Sequence, residues 1–358
     1  MLSESQRRHL SDILQPVSPP RQLENIFTDE QRRRMLDVVH SGEWKLIIAQ
    51  HFANAEELIA TFAGGFPEGF EPTLDMFLTP TFRGFFANYS TVLYPELHDV
   101  FYNETFLGHA KSYWNAEYAK PQMMLFNING PCGNNDPGHL DSPSFRGVRY
   151  ENSPTWLCSI MGRSGLFQDY LIKMAQVITW FSHDPASGFT YWPKGPLNKP
   201  ERLSSPVYNR GVLVQNEMMV HRGEANGAIE RQRPEGLGFD SLFTGEADPD
   251  GWLVKTGDKV IERYHTDELR FLVHWSAEVF EDYAELKKNM DGSDNLTYDR
   301  VFETLIKDVR SRGIEIETPT DPLRDPLFIK ALNDAYDYGG PAEYPAEAAR
   351  GGVYAAAA

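Results

Sequence analysis

The chain has 358 residues, enough to bury a core without disulfide or metal staples. A formal net charge of -17, from 34 Lys+Arg against 51 Asp+Glu, argues against a surface that grips nucleic acid or anionic lipid as a whole. No apolar run approaches the roughly 20 residues of a membrane-spanning helix, and the two cysteines, Cys132 and Cys158, cannot build a disulfide framework or a four-thiolate zinc site.

Met1 to Arg8 is polar and no apolar segment follows, so a secretory leader is not expected and the cytoplasm is the expected compartment. The first third patterns as helix. Thr28 to Gln31 has the form of a capping box before Arg32–Val39, and Asn54 with Glu57 repeats that signal before Leu58, Ile59 and Phe62. Phe66 to Thr81 is rich in Gly and Pro and predicts a loop.

The middle changes to strand character. Gln122–Ile128 (QMMLFNI) is a short apolar run, followed by the turn formers of Gly130–Gly138. Lys173–Phe181, Phe189–Trp192, Gly211–Val220 and Leu269–Trp275 are the next strand candidates. Short strands separated by turn signals predict a sandwich or barrel rather than alternating βαβ units. The last part returns to helix at Ala277–Met290, Thr297–Arg312 and Asp325–Tyr338; Val301, Phe302, Leu305, Ile306 and Val309 make one apolar stripe.

The residues richest in chemistry are His139 and Asp141. In extended chain, positions i and i+2 face one way, so the pair can hold one metal. His221, at the end of the Gly211–Val220 run, is the candidate third ligand. Two imidazoles and a carboxylate form the facial set typical of non-haem Fe(II), which leaves positions open for substrate and oxygen. An isolated His-x-Asp triplet is common by chance, and the weight comes from the strand that runs into His221. His183 and His274 remain as alternative ligands, and Cys132 as a small packed residue or, less favoured, a nucleophile with His139 as its base.

With His139, Asp141, His221 and then Arg270 heading an apolar strand, the chain resembles the Fe(II)/2-oxoglutarate-dependent oxygenases, most closely their phytanoyl-CoA dioxygenase-like branch. Ile178–Pro196 also resembles that family's strand-turn-strand, although PKGP at Pro193–Pro196 replaces its usual ending. The resemblance covers about Pro121 to Ser276. It implies a mainly β fold with helical flanks, a double-stranded β-helix (jelly-roll, cupin-like) core with N- and C-terminal helices. It also implies Fe(II), 2-oxoglutarate as cosubstrate and O2, with metal ligands His139, Asp141 and His221. The far carboxylate of 2-oxoglutarate would pair with Arg270, since a guanidinium offers a planar two-pronged donor. Trp180 and Gln122 are further candidates beside the cosubstrate. Arg270 stands 49 positions beyond His221, wider than the family's usual spacing. Arg231 and Arg233 have the ordinary spacing but lie in a loop-like stretch, so the choice stays open with Arg270 preferred.

On this reading residues 1–350 form one catalytic domain. It has a helical part at 1–120, a jelly-roll core at 121–276 with an insertion at about 228–265, C-terminal helices at 277–340, and a frayed tail at 351–358. The expected reaction is oxidation of a C–H bond of a small molecule by hydroxylation, desaturation or oxidative cyclisation, in the specialised metabolism of an amino acid, alkaloid or terpenoid. The retained Asp141 argues against halogenation. Arg146, Arg149 and Arg222, near the proposed ligands in sequence, suggest a substrate that carries a carboxylate. No nucleic-acid or membrane partner is expected, and the chain would act as a monomer or homodimer. A 2-oxoglutarate-independent metal-dependent cupin and a non-catalytic jelly-roll binding protein are the competing readings.

Overall fold

The computed structural model describes residues 3–62, 71–133 and 136–348. The tail expected at 351–358 and part of the Phe66–Thr81 loop lie outside these residues.

Fourteen strands and ten α-helices are present among the described residues. The first third supplies β1 (Arg21–Glu24), β2 (Glu43–Leu46), β3 (Thr81–Asn88) and β4 (Thr91–Val92) between α1 (Glu4–Ile13), α2 (Asp29–His40), α3 (Ile47–His51), α4 (Ala55–Ile59), α5 (His98–Phe101) and α6 (Glu104–Trp114). Both cap signals form: Thr28 and Gln31 make the reciprocal box of α2, and Asn54 accepts from the Glu57 amide at α4. The strands in this region were not legible as strands, because each is short or partly polar.

The middle carries β5 (Tyr118–Asn129), α7 (Thr155–Ser164), β6 (Met174–Phe181), β7 (Phe189–Tyr191), β8 (Glu201–Leu203), β9 (Arg210–Val214) and β10 (His221–Gly223). It continues with β11 (Ser241–Gly245), β12 (Gly251–Thr256), β13 (Lys259–His265) and β14 (Arg270–Phe280). Three helices follow: α8 (Tyr283–Asp291), α9 (Tyr298–Ser311) and α10 (Pro326–Ala335). Gly211–Val220 is not one strand. The chain leaves the sheet after Val214, where the Asn216 amide is taken up by Gln176 and the Asn216 carbonyl by Asp141. The helix expected from Ala277 begins only after Asp282 caps it, because Ala277 and Val279 continue the buried face of β14.

The jelly-roll expectation is corrected by the sheet topology. One large antiparallel sheet runs in the order β1-β9-β6-β14-β5-β3-β2-β11-β12-β13, with β4 paired to β3, and its path is open at both ends. A separate three-stranded sheet has the order β10-β7-β8. The result is a mixed fold of helices and a large sheet, not a barrel closed as a double-stranded β-helix. The physical reason lies at the two flanks. β1 pairs onto β9 and β2 pairs onto both β3 and β11, so segments outside the central strands lengthen the sheet instead of folding it back. Residues 228–265, expected as an insertion, supply β11 to β13 at the far edge of the sheet.

The central strands sort their side chains by alternation. Phe271, Val273 and Trp275 of β14 enter an apolar core with Phe82, Phe86, Phe126 and Phe181. Arg270, Leu272, His274 and Ser276 point to the opposite face, which lines a cavity. A second core joins α7, α9 and α10. Trp156 to Ser164 of α7 are all buried, so this helix shows no polar face and gave no periodic signal. No helix among the described residues is long and apolar enough to cross a membrane.

Candidate metal centre

The site is assembled from two chain segments that meet across a short bridge. After β5, Asn129 donates to Asn226 at 2.9 Å, and Cys132 and Asn226 exchange backbone hydrogen bonds. The chain then turns at Asp136-Pro137-Gly138. Asp136 accepts from the Gly138 amide at 2.7 Å, and Gly138 has φ +121°, a backbone state that favours glycine. His139 follows and exchanges backbone hydrogen bonds with His221 at 2.9 and 3.0 Å. β7 binds the other edge of β10, with His221 opposite Tyr191.

This arrangement brings His139, Asp141 and His221 together, with one ligand atom from each within 4.8 Å of the others. Nε2 of His221 is 3.6 Å from Oδ1 of Asp141, and Nε2 of His139 is 4.0 Å from the same oxygen. Both imidazoles are held from behind. Nδ1 of His221 donates to the Met219 carbonyl at 2.9 Å, and Nδ1 of His139 meets Asp136 at 2.6 Å. Each Nε2 is thereby left for a metal, the orientation that outer partners give to ligating histidines.

Asp141 is positioned as carefully. Its amide donates to the Asn216 carbonyl, and Gln176 donates to its Oδ2 at 3.1 Å and to Glu217 at 2.8 Å. Burial alone would raise the Asp141 carboxyl, but the neighbouring histidines, His221 foremost, hold it well below the usual carboxylate range. Burial, and then the charge of Asp141, drive the Glu217 carboxyl well above the usual carboxylate range. Burial lowers His274 to about 4, keeping it neutral; its Nδ1 lies 4.0 Å from Asp141.

The triad opens into a cavity of about 570 Å³. Arg270 lies in its wall, 8% exposed, and donates to the Gly188 carbonyl at 3.1 Å. A Cβ at Gly223 would stand 2.8 Å from its Nη1, so the glycine makes room for the guanidinium. Arg270 has no ion-pair partner among the described residues, and its charge lies 5.9 Å from the Trp180 ring centroid. Trp180 also lines the cavity, and its indole N–H is buried without a partner.

Other candidates lie elsewhere. Gln122 is not in the cavity wall; it donates to Glu151 at 2.5 Å and accepts from Ser90 at 3.1 Å. The register places Met123, Leu125 and Asn127 on the cavity face and Met124 in the core, with an irregularity opposite Ser276 and Ala277. Arg231 pairs with Glu262 and Glu268, and Arg233 donates to the Asp75 carbonyl. Arg146 pairs with Asp294, Arg149 with Glu151 and Glu278, and Arg222 reaches the Ala348 carbonyl. None of these five arginines lines the cavity. Arg83 and His51 do, and the sequence reading missed both. The available signal was the polar-apolar-polar step of Thr81, Phe82 and Arg83, too short to mark a strand. Cys132 lines the cavity with a thiol that burial pushes up, and it meets Thr81 at 3.5 Å; it is not in contact with His139 as a nucleophile with its base would be. His183 stacks on Tyr208, away from the triad.

No protein-family profile and no curated protein sequence matches the chain. Among solved structures, the chain is similar to an oxidoreductase of the 2OG-Fe(II) oxygenase family from Burkholderia pseudomallei. The identity is 10%, the match covers 78% of this chain and 90% of that one, and the TM-score is 0.35. A likeness of that size says nothing about the chemistry of the site. What the residues define is a two-histidine, one-carboxylate cluster able to chelate a metal ion.

Proposed function

We propose that the protein is a non-haem Fe(II)- and 2-oxoglutarate-dependent oxygenase of the phytanoyl-CoA dioxygenase-like kind, oxidising a C–H bond of a small molecule. The observation that carries this reading is the convergence of the His139 and His221 Nε2 atoms on Asp141, with both Nδ1 atoms already engaged. Two imidazoles and one carboxylate suit Fe(II) and leave coordination positions for a chelating cosubstrate and oxygen.

The residues also fit the cosubstrate. Arg270 is a buried guanidinium without a carboxylate, beside an unpartnered Trp180 indole N–H in the same cavity. It would hold the far carboxylate of 2-oxoglutarate. Iron, when bound, supplies oxygen activation and the oxidising power that removes hydrogen from carbon. The chain supplies the rest. Gln176 fixes the Asp141 carboxylate, and Asp136 and the Met219 carbonyl fix the imidazoles. The cavity is of the size that encloses a small molecule. Hydroxylation, desaturation and oxidative cyclisation all begin from this arrangement, with an amino acid, alkaloid or terpenoid as the substrate class.

A second reading is a metal enzyme that does not use 2-oxoglutarate. It is favoured by His274, which lies beside Asp141 with an Nε2 that has no partner. Turnover separates the two. Succinate formed from 2-oxoglutarate in an Fe(II)-dependent manner, and lost in His221→Ala, supports the first reading. Metal-dependent turnover without succinate supports the second.

A further inference from the structure

The cavity contains one guanidinium more than the cosubstrate needs. Arg270 and Arg83 both line it, and neither has an ion-pair partner among the described residues. Their anchoring groups differ. Arg270 leans on the Gly188 and Glu224 carbonyls. Arg83 donates from Nε to Asn127 at 2.9 Å and from Nη1 to His51 at 3.2 Å. In the sheet Arg83 pairs with Asn127 on β5, whereas Arg270 of β14 pairs with Asn129. The two positions are thus two strands apart, about 10 Å across the sheet.

His51 must accept from Arg83, because a guanidinium only donates. Burial, aided by the Arg83 charge, lowers His51 to about 4, in keeping with a neutral ring. Two neutral acceptors therefore aim the Arg83 fork without neutralising it. Arg83 is partly buried in the cavity wall, and the Asp141 carboxylate acts on it only from beyond ion-pair distance; a charge held this way favours a ligand that completes it.

2-Oxoglutarate is a dianion. Its 2-oxo acid end belongs to the metal, which leaves one carboxylate for one arginine. We propose that the Arg83 guanidinium, aimed by Asn127 and His51, binds an anionic group on the substrate, most simply a carboxylate. The inference rests on the oxygenase reading for the assignment of Arg270. Ile48, Phe52, Leu58, Phe62 and Phe85 also line the cavity, which suits an anion carried on an apolar body. The arginines adjacent to the triad in sequence take no part, since Arg146 and Arg149 are consumed by ion pairs.

The test is isothermal titration with phenylacetate, 3-phenylpropanoate and octanoate, each against its amide. It is run on the metal-free protein and on protein loaded with Mn(II) and 2-oxoglutarate. At least one acid should bind ten times or more tighter than its amide. Arg83→Gln should reduce that preference to within twofold, and Arg83→Lys should retain part of it. Binding of 2-oxoglutarate to the Mn(II) protein should be unchanged in Arg83→Gln and weakened tenfold or more in Arg270→Gln. Circular dichroism checks the fold, and Arg83→Lys serves alone if Arg83→Gln unfolds, with a weakened acid preference as the expected result. No preference for any acid, or a preference that survives in the Arg83 variants, overturns the proposal. Loss of 2-oxoglutarate binding in Arg83→Gln with Arg270→Gln unaffected also overturns it. An acid preference that needs Arg83, in a protein that never binds 2-oxoglutarate, supports the anion site and sinks the oxygenase reading instead.

Discussion

Nε2 of His221 stands 3.6 Å from Oδ1 of Asp141 although 80 positions separate them in the chain. The contact depends on the backbone exchange between His139 and His221, which lays the turn after β5 along the edge of β10. Removing any one of the three side chains leaves two ligands. His139→Ala, Asp141→Ala and His221→Ala should each weaken Mn(II) or Fe(II) binding by more than about a hundredfold, beyond the 10–100-fold typical of an outer-shell change. Anaerobic calorimetry measures it.

Asp136 acts on the metal through His139. Its 2.6 Å contact with Nδ1 fixes the tautomer, and its bond to the Gly138 amide fixes the turn. Asp136→Asn should keep the fold and lower metal affinity by about 10–100-fold. Asp136→Ala should lower it further.

Gly223 lies against the Arg270 guanidinium. A methyl group there would stand 2.8 Å from Nη1, closer than carbon and nitrogen tolerate. Gly223→Ala should raise the concentration of 2-oxoglutarate needed for half-saturation while leaving Mn(II) affinity within twofold. A parallel loss of both would mean that the substitution disturbs β10 as a whole.

Phe271 tests the other face of β14. Its ring is 2% exposed and meets Phe86, Phe126 and Phe181. Phe271→Ala should cost about 3–5 kcal/mol by urea unfolding, with Fe(II) binding retained wherever the variant is folded.

Asp294 supplies a pH dependence remote from the triad. Arg146 and Lys288 hold its carboxyl well below the usual carboxylate range, the hydrogen bonds from Arg146 being the largest cause. A depressed native carboxyl contributes stability above the unfolded value of about 3.9 and loses it as pH falls toward the native one. Asp294→Asn should therefore lower Tm at pH 6, and the difference from the parent should shrink below about pH 4. A difference that grows on acidification would contradict the pairing.

Much of the site was legible because its residues lie close in sequence or at the end of an apolar run. His139 and Asp141 share one face of extended chain, and His221 ends a segment whose hydrophobic start marked a strand. The architecture was less legible. The near-continuous apolar runs of β5, β6 and β14 state that both faces are covered, but they do not state what each edge meets. β1, β2 and β11 decide that the sheet extends and stays open, and they are too short to announce themselves. α7 hides for the opposite reason, since burial on all sides removes its periodicity. Gln122 illustrates the register problem: alternation puts Met123, Leu125 and Asn127 on the cavity face, and the irregular step falls at Gln122, which lies against Glu151. Arg83 needed the tertiary fold, because its role is defined by partners on α3 and β5.

The central claim is that His139, Asp141 and His221 hold Fe(II) with 2-oxoglutarate chelated upon it. Anaerobic titration of the protein with Fe(II) and then 2-oxoglutarate, followed by visible absorption, tests it most directly. The account predicts a metal-to-ligand charge-transfer band that saturates at one 2-oxoglutarate per chain and is absent in His221→Ala. Stoichiometric Fe(II) binding with no such band, or an equal band in His221→Ala, would contradict it.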